Sequence, residues 1–333
     1  MLYDRLEKGA VRCRLCAHRC VIQAGKRGIC AVRENQGGVL QSLVYGKVIA
    51  LNVDPIEKKP LFHFLPGSSS LSLATVGCNF ACEHCQNYEI SQAPRERPDV
   101  AVPGRDMTPE EVVGAALRRR CESISYTYTE PTIFMEFAYD CARLAREKGI
   151  RNVFVSNGFM TPESARLIAP LLDANNIDLK GGRELYRKVC HARVEPVRET
   201  IRLMKELGVW VEVTTLVIPG HNDSDEDLGE IARFLAAIDP AIPWHVTQFH
   251  PTFRLTDSPS TPVATLRRAR DLGLRAGLKF VYEGNVPGEG GEHTYCPACG
   301  EALLRRFGVS LLENRMRDWA CPSCGARPEG VWK

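Results

Sequence analysis

The sequence predicts an α/β protein. The expected core is a partial, open (β/α)6 barrel of parallel strands, with a cysteine-rich N-terminal extension and a C-terminal metal-binding module of zinc-ribbon or rubredoxin-like type. Three observations lead there. After Leu71, short β-branched runs alternate with amphipathic stretches of helical length, the pattern of parallel βαβ units. Polar residues gather where the predicted strands give way to loops, where folds of this class place their reactive groups. Of the 14 cysteines, all but Cys121, Cys141 and Cys190 fall into three tight groups: before, inside and after the alternating region.

Residues 1–66 read as the extension. Cysteines and basic residues open it, residues 40–45 and 47–53 have strand composition, and Pro55, Pro60 and Pro66 interrupt the chain. Residues 67–286 carry the barrel. Strands are expected at 71–76, 123–129, 151–155, 176–179, 210–218, 244–249 and 279–282. Between them, helices are expected from Thr108-Pro109, where Thr caps and Pro starts the first turn, then at 133–147, 162–172, 197–207, 225–238 and 262–276. That is six or seven repeats, short of the eight of a closed barrel. Residues 287–333 turn glycine-rich and then cysteine-rich, as a small appended module would.

Composition narrows the function class. With 44% hydrophobic and 25% charged residues, this is an ordinary globular chain. A net charge of +3 is too weak to argue for a nucleic-acid or membrane-surface binder. No apolar run approaches membrane-spanning length, and the first residues have no signal core, so a cytoplasmic protein is expected. In such a compartment clustered cysteines bind metals rather than form disulfides. Cys121 and Cys141 read as small buried apolar residues, and Cys190 as unreactive.

The central group, Cys78, Cys82 and Cys85, has the spacing C-x3-C-x2-C. It offers three thiolates from one loop, whereas cubane iron–sulfur clusters take four. Three ligands leave one iron open to bind a substrate. The alternative is zinc with His84 as fourth ligand, but His84 adjoins Cys85 directly, an awkward placement for one ion. At the C-terminus, Cys296-Pro-Ala-Cys299-Gly300 and Cys321-Pro-Ser-Cys324-Gly325 form twin C-P-x-C-G knuckles, a pattern for one tetrahedral ion, zinc or iron. Cys13, Cys16, Cys20 and Cys30 make another set of four, with His18 as an alternate ligand; zinc and an auxiliary iron–sulfur cluster both fit.

Five groups of polar residues fall at predicted strand ends: Tyr128-Thr129-Glu130-Pro131-Thr132, Ser156-Asn157-Gly158, Asp178-Leu179-Lys180, the 218–223 turn with His221 and Asn222, and Gln248-Phe249-His250. One such group is ordinary turn chemistry, but five around one mouth point to a site. Asp178 also reads as a simple ion pair with Lys180, and His250 as a satisfied histidine at the rim.

The central triad resembles the signature of radical S-adenosylmethionine (SAM) enzymes. With Asp54–Leu61, Tyr128–Thr132 and Gly284–Gly288, nearly the whole chain resembles the radical SAM component of the AmmeMemoRadiSam system, related to the activating enzymes of glycyl-radical enzymes such as pyruvate formate-lyase. The resemblance implies a [4Fe–4S] cluster on Cys78, Cys82 and Cys85, with SAM on the fourth iron. It implies SAM contacts from Glu130, Asn157, Asp178, Lys180 and His250. Glu130 ends Tyr-Thr-Glu where the activases carry Gly-Gly-Glu, so only the glutamate carries over. SAM's amine calls for a carboxylate and its carboxylate for a cation, which Glu130 and Lys180 supply. The implied reaction is reductive cleavage of SAM to methionine and a 5′-deoxyadenosyl radical that abstracts hydrogen from a protein or small molecule. The implied partners are a flavodoxin- or ferredoxin-like electron donor and proteins of the AMMECR and Memo families. Two other readings are a strict glycyl-radical activase and a non-catalytic zinc protein binding nucleic acid through a basic module surface of Arg305, Arg306, Arg315 and Arg317.

Overall fold

The computed structural model describes residues 2–333. Its core is one sheet of eight strands in chain order: β1 (Ala50–Pro55), β2 (Ser69–Ala74), β3 (Ser123–Tyr126), β4 (Arg151–Ser156), β5 (Ala174–Asp178), β6 (Trp210–Val217), β7 (Trp244–Gln248) and β8 (Val281–Gly284). Strands β2 to β8 run parallel and β1 antiparallel to β2. β1 and β8 are the two edges and do not pair, so the sheet stays open. Six strand–helix units and a seventh parallel strand match the expected six or seven repeats: α6 (Val263–Arg275) returns the chain so that β8 pairs Val281 to Gly284 against Trp244 to Thr247.

The connecting helices are α1 (Pro109–Arg118), α2 (Met135–Glu147), α3 (Pro162–Ile168), α4 (Glu195–Glu206), α5 (Asp225–Ile238) and then α6. Local chemistry sets their starts. Thr108 and Glu111 form a reciprocal capping box, Thr161 and Ser164 another, and the Ser224 hydroxyl accepts from the Asp227 amide. Helix α4 buries Val197, Thr200, Ile201 and Met204, the i, i+3, i+4, i+7 pattern that keeps one face on the sheet. Among the described residues, no helix is long and apolar enough to cross a membrane.

The segment between β1 and β2 lies across one face of the sheet. The Phe62 and His63 amides donate to Glu212 at 2.9 and 2.8 Å, and the Trp210 indole and His245 imidazole add bonds of 3.0 and 2.7 Å to the same carboxylate. Glu212 is buried, and these donors hold it ionised: burial pushes its pKa up, but His245 and the other partners bring it below the ordinary value. Arg306 clasps the segment from the other side. Its guanidinium donates to the Phe62 carbonyl (2.8 Å) and to Thr294 (2.8 Å), and lies 3.6 Å from the Glu57 carboxylate.

The C-terminal module is a three-stranded antiparallel sheet of β9 (Thr294–Tyr295), β10 (Ala302–Phe307) and β11 (Ser310–Asn314). The basic surface that a nucleic-acid reading needs is depleted: Arg306 is 1% exposed, drawn inward by Glu57 and Phe62, Arg305 and Arg315 pair with Glu313, and Arg315 also with Glu301, while Arg317 stays exposed.

His63 carries a pH consequence. Its Nδ1 donates to the Glu329 carbonyl (2.7 Å), so Nε2 accepts from the Tyr282 hydroxyl. Burial lowers its pKa from 6.5 to about 4. The unfolded chain therefore takes up a proton that the folded chain refuses, and stability present above pH 6.5 is lost as pH falls toward 4. Between pH 6.5 and 5 the expected loss from His63 is about 2 kcal/mol. Denaturant midpoints of wild type and His63→Gln over that window check it: the wild-type slope should be the steeper.

Candidate active site

At the carboxyl ends of the parallel strands the chain encloses a cavity of about 470 Å³, large enough for a nucleoside-sized ligand. Cys78, Cys82 and Cys85 all line it. They sit on the loop that leaves β2 through Gly77, whose φ of 96° suits glycine. A Cβ there would lie 2.7 Å from Val32 Cγ1 and 3.2 Å from the Cys30 carbonyl oxygen, so the loop packs tightly on the N-terminal extension.

The loop is braced from several elements. Arg95 donates to the carbonyls of Cys78 and Phe80. The Glu83 amide donates to the Val189 carbonyl at 3.0 Å, and the Glu83 carbonyl accepts from Arg254 and Leu255. The Phe80 amide donates to Cys78 Sγ at 3.4 Å, and Ser91 Oγ lies 3.2 Å from Cys85 Sγ. All three thiols are held above their ordinary pKa. Burial is the main cause at Cys78 and Cys85, and at Cys82 it is the hydrogen bond with Cys190, with burial next. Iron must therefore displace protons to bind here.

The spacing of these thiols tests what they fit. A single ion with bonds of about 2.3 Å to sulfur gathers its four sulfurs within about 4 Å of one another, whereas a cubane spreads its ligands over separate irons. The four sulfurs of Cys296, Cys299, Cys321 and Cys324 do lie within 4.8 Å of one another, with 3.6 Å between Cys296 and Cys324 and between Cys299 and Cys321. Gly300 and Gly325 adopt φ of 77° and 75°, as the knuckles require. Among the described residues Cys78, Cys82 and Cys85 are not gathered in this way. Three thiols facing one cavity at wider spacing fit a cubane with an open iron and not a closed single-ion site. His84 does not complete a set with all three: its ligand atom clusters with Cys82 and Cys190.

The expected ligand contacts divide. Glu130, Asn157, Asp178 and Lys180 all line the cavity. Glu130 is 1% exposed and largely occupied. Its Oε1 accepts from the Thr132 amide (3.0 Å), Thr132 hydroxyl (2.6 Å) and Ser156 hydroxyl (2.8 Å), and its Oε2 from the Asn157 amide (2.8 Å). Burial raises its pKa against these bonds. One lone pair on Oε2 is left for a ligand. Asn157 Nδ2 donates to Asn79 Oδ1 at 2.7 Å and lies 3.8 Å from Cys78 Sγ. Lys180 Nζ donates to Asp178 at 2.7 Å; burial works to lower its pKa, but Asp178 and the nearby thiols raise it well above the ordinary value, so it stays cationic.

Two of the five strand-end groups stay out of the cavity. Asn222 supports the site from behind: it accepts from the Ile218 amide (2.6 Å) and donates to the carbonyls of Leu216 (2.9 Å) and Lys180 (2.5 Å). His250 is exposed and lies 3.0 Å from Ser260 Oγ. Its neighbour Phe249 is buried, with its amide on Thr261 Oγ1, which turns His250 outward.

The structure also adds groups. Lys58, Lys59 and Pro60 line one wall. Asp54 accepts from Lys58 (2.8 Å), Lys59 (2.7 Å), Ser72 (2.7 Å) and Tyr128; burial raises its pKa, but these donors hold it well below the carboxylate range. Tyr128 sits in the left-handed region at φ 62°, with Lys59 Nζ 4.7 Å from its ring centre. Such strain in a non-glycine residue costs about 1–3 kcal/mol and collects at functional sites. Cys190, at the end of a π-helical turn (Tyr186–Cys190), reaches Cys82. The Asp54–Leu61 stretch is distinctive in sequence; nothing local to Cys190 marks it.

Comparison with known proteins agrees with this geometry. The Radical SAM superfamily model matches residues 72–235. An uncharacterized protein of Methanocaldococcus jannaschii is 49% identical over 330 residues, covering 98% of this chain and 97% of that protein. The pyruvate formate-lyase-activating enzyme of Streptococcus mutans is 21% identical over 186 residues, covering 52% of this chain and 68% of that one. Among solved structures, a radical SAM methyltransferase from Sphaerobacter thermophilus shares the fold with a TM-score of 0.51 at 17% identity, over 67% of this chain and 68% of that chain.

Proposed function

The chain belongs to the radical SAM superfamily, and on that premise we propose that its cavity binds SAM beside a [4Fe–4S] cluster held by Cys78, Cys82 and Cys85. The observation that carries this is the three-thiol loop, wider than a single-ion site, opening into a cavity of about 470 Å³. When bound, the cluster supplies one electron to cleave SAM into methionine and a 5′-deoxyadenosyl radical, which takes hydrogen from the substrate.

The chain's own residues orient and shield. Lys180 keeps two N–H groups beyond its bond to Asp178 and offers them to SAM's carboxylate. Glu130 Oε2 offers its remaining lone pair to the amine, and Asn157 is fixed by Asn79 at the mouth of the cysteine loop. We assign no contact to His250. Lys58, Lys59 and Tyr128 line the same cavity and offer cationic and phenolic groups to a second ligand.

The class requires a one-electron reductant, and a flavodoxin- or ferredoxin-like donor suits it. The substrate is a protein or a small molecule; partners of the AMMECR and Memo families rest on the motif resemblance alone. A strict glycyl-radical activase is the second reading, favoured by the likeness to the pyruvate formate-lyase-activating enzyme over 52% of this chain, while Tyr128-Thr129-Glu130 in place of Gly-Gly-Glu weighs against it.

The test is anaerobic reconstitution with iron and sulfide, reduction with dithionite in the presence of SAM, and assay of 5′-deoxyadenosine. Cluster absorbance with 5′-deoxyadenosine formation is expected. Zinc at the central cysteines with no 5′-deoxyadenosine overturns the proposal. Lys180→Met should keep the cluster absorbance and raise the KM for SAM about tenfold to a hundredfold, the worth of one charge-assisted hydrogen bond.

A further inference from the structure

Cys13, Cys16, Cys20 and Cys30 line one shared cavity in the N-terminal extension. We propose that they hold a second [4Fe–4S] cluster, seated against the back of the loop that carries Cys78, Cys82 and Cys85.

Two sulfur spacings coexist in this chain. The C-terminal four lie within 4.8 Å of one another, as one ion demands. Among the described residues, no three of Cys13, Cys16, Cys20 and Cys30 do, although all four face the same cavity. They share this wider spacing with the central triad, but here there are four thiols, the complete set for a cubane. A single zinc ion would need the four sulfurs drawn together across the space they enclose.

The surroundings suit a cluster. A backbone amide lies near each sulfur: Leu15 at Cys13, His18 at Cys16, Ile29 at Cys20 and Val32 at Cys30. Amides so placed support cluster thiolates and tune their potential. His18, the alternate ligand, is committed elsewhere, with its Nε2 donating to the Asn79 carbonyl at 2.8 Å. Cys13, Cys16 and Cys30 are buried.

The two cysteine groups are joined by direct contacts. Arg95 donates from Nε to the Ile29 carbonyl (2.8 Å) and from its other nitrogens to the carbonyls of Phe80 and Cys78. Gly77, next to Cys78, lies against Val32 and the Cys30 carbonyl. A redox centre in the extension is thus one packing layer from the central one. This pairing, though not the identity of the second cluster, rests on the reading of Cys78–Cys85 given above.

The test uses the full chain with the central ligands removed. Reconstituted Cys78→Ala/Cys82→Ala/Cys85→Ala should retain about four iron and four acid-labile sulfide per chain, and dithionite should produce the S = 1/2 signal of a reduced cubane. Iron or zinc at the C-terminal cysteines brings no sulfide, so the sulfide count is decisive. Zinc without sulfide in this variant overturns the proposal even if wild type makes 5′-deoxyadenosine; conversely, sulfide here with an inactive wild type leaves it standing. Adding Cys13→Ser and Cys16→Ser should remove that sulfide, and its persistence would overturn the assignment. In fully reduced wild type the two signals should broaden each other, each sharpening when the other cluster's ligands are replaced; independent signals would overturn the pairing.

Discussion

Cys82→Ala, reconstituted and reduced like wild type, is expected to form 5′-deoxyadenosine at no more than about one hundredth of the wild-type rate, since even residues one layer behind metal ligands are worth that much. The triad has no spare thiol for the open position. Cys190 lies near Cys82 on the Tyr186–Cys190 turn, whose carbonyls brace the cysteine loop at Ala81 and Glu83, and a Cys82→Ala/Cys190→Ala double variant removes that neighbouring thiol as well. The lesion should be chemical rather than structural. Cys82 is 7% exposed and its removal trims one sulfur from a site that already borders a cavity, costing about 1 kcal/mol. Absorbance, 5′-deoxyadenosine and the unfolding midpoint, measured together, separate the two outcomes. A variant that keeps its rate would show that the loop is not the cluster site.

Glu212→Ala should produce the largest loss of stability, about 3–5 kcal/mol. The carboxylate accepts from three buried groups, two backbone amides and an imidazole, and from the half-buried Trp210 indole. Alanine leaves the three buried donors without an acceptor in a place water does not reach. Glu212→Gln keeps an acceptor and should lose less. Because the same bonds hold the segment that begins with Lys58 and Lys59 at the cavity wall, the alanine variant should also weaken ligand binding before it unfolds. Denaturant midpoints and SAM affinity of the two variants, compared with wild type, check both parts.

Much of this was legible in the chain because the signals were local. Thr108 and Glu111 announce α1 by their spacing, the apolar rhythm of 197–204 announces α4, and the C-P-x-C-G repeats specify a knuckle whatever surrounds them. The triad and its following polar residues Glu130, Asn157, Asp178 and Lys180 lie at strand ends, and parallel topology brings those ends together. What was not legible depends on long-range packing. Arg306 looks like a surface charge until Glu57, 249 positions earlier in the chain (306 − 57), is placed beside it. Cys190 looks isolated until a π-helical turn aims it at Cys82. His250 shares the composition of the site but turns to Ser260, and Asn222 reaches the site only from behind, through its own turn and the Lys180 carbonyl.

The clasp formed by Arg306 and the terminal residues has a consequence for biosynthesis. The segment 56–65 leaves the ribosome early, but its partners are Glu212, Tyr282, Arg306, Glu329 and Val331, all made long after it. Until Val331 has been made, Phe62 and Phe64 have no finished place to go, and the wall bearing Lys59 cannot set. Contacts of such high sequence separation form late and slowly. The cavity wall is therefore among the last parts of the fold to be completed.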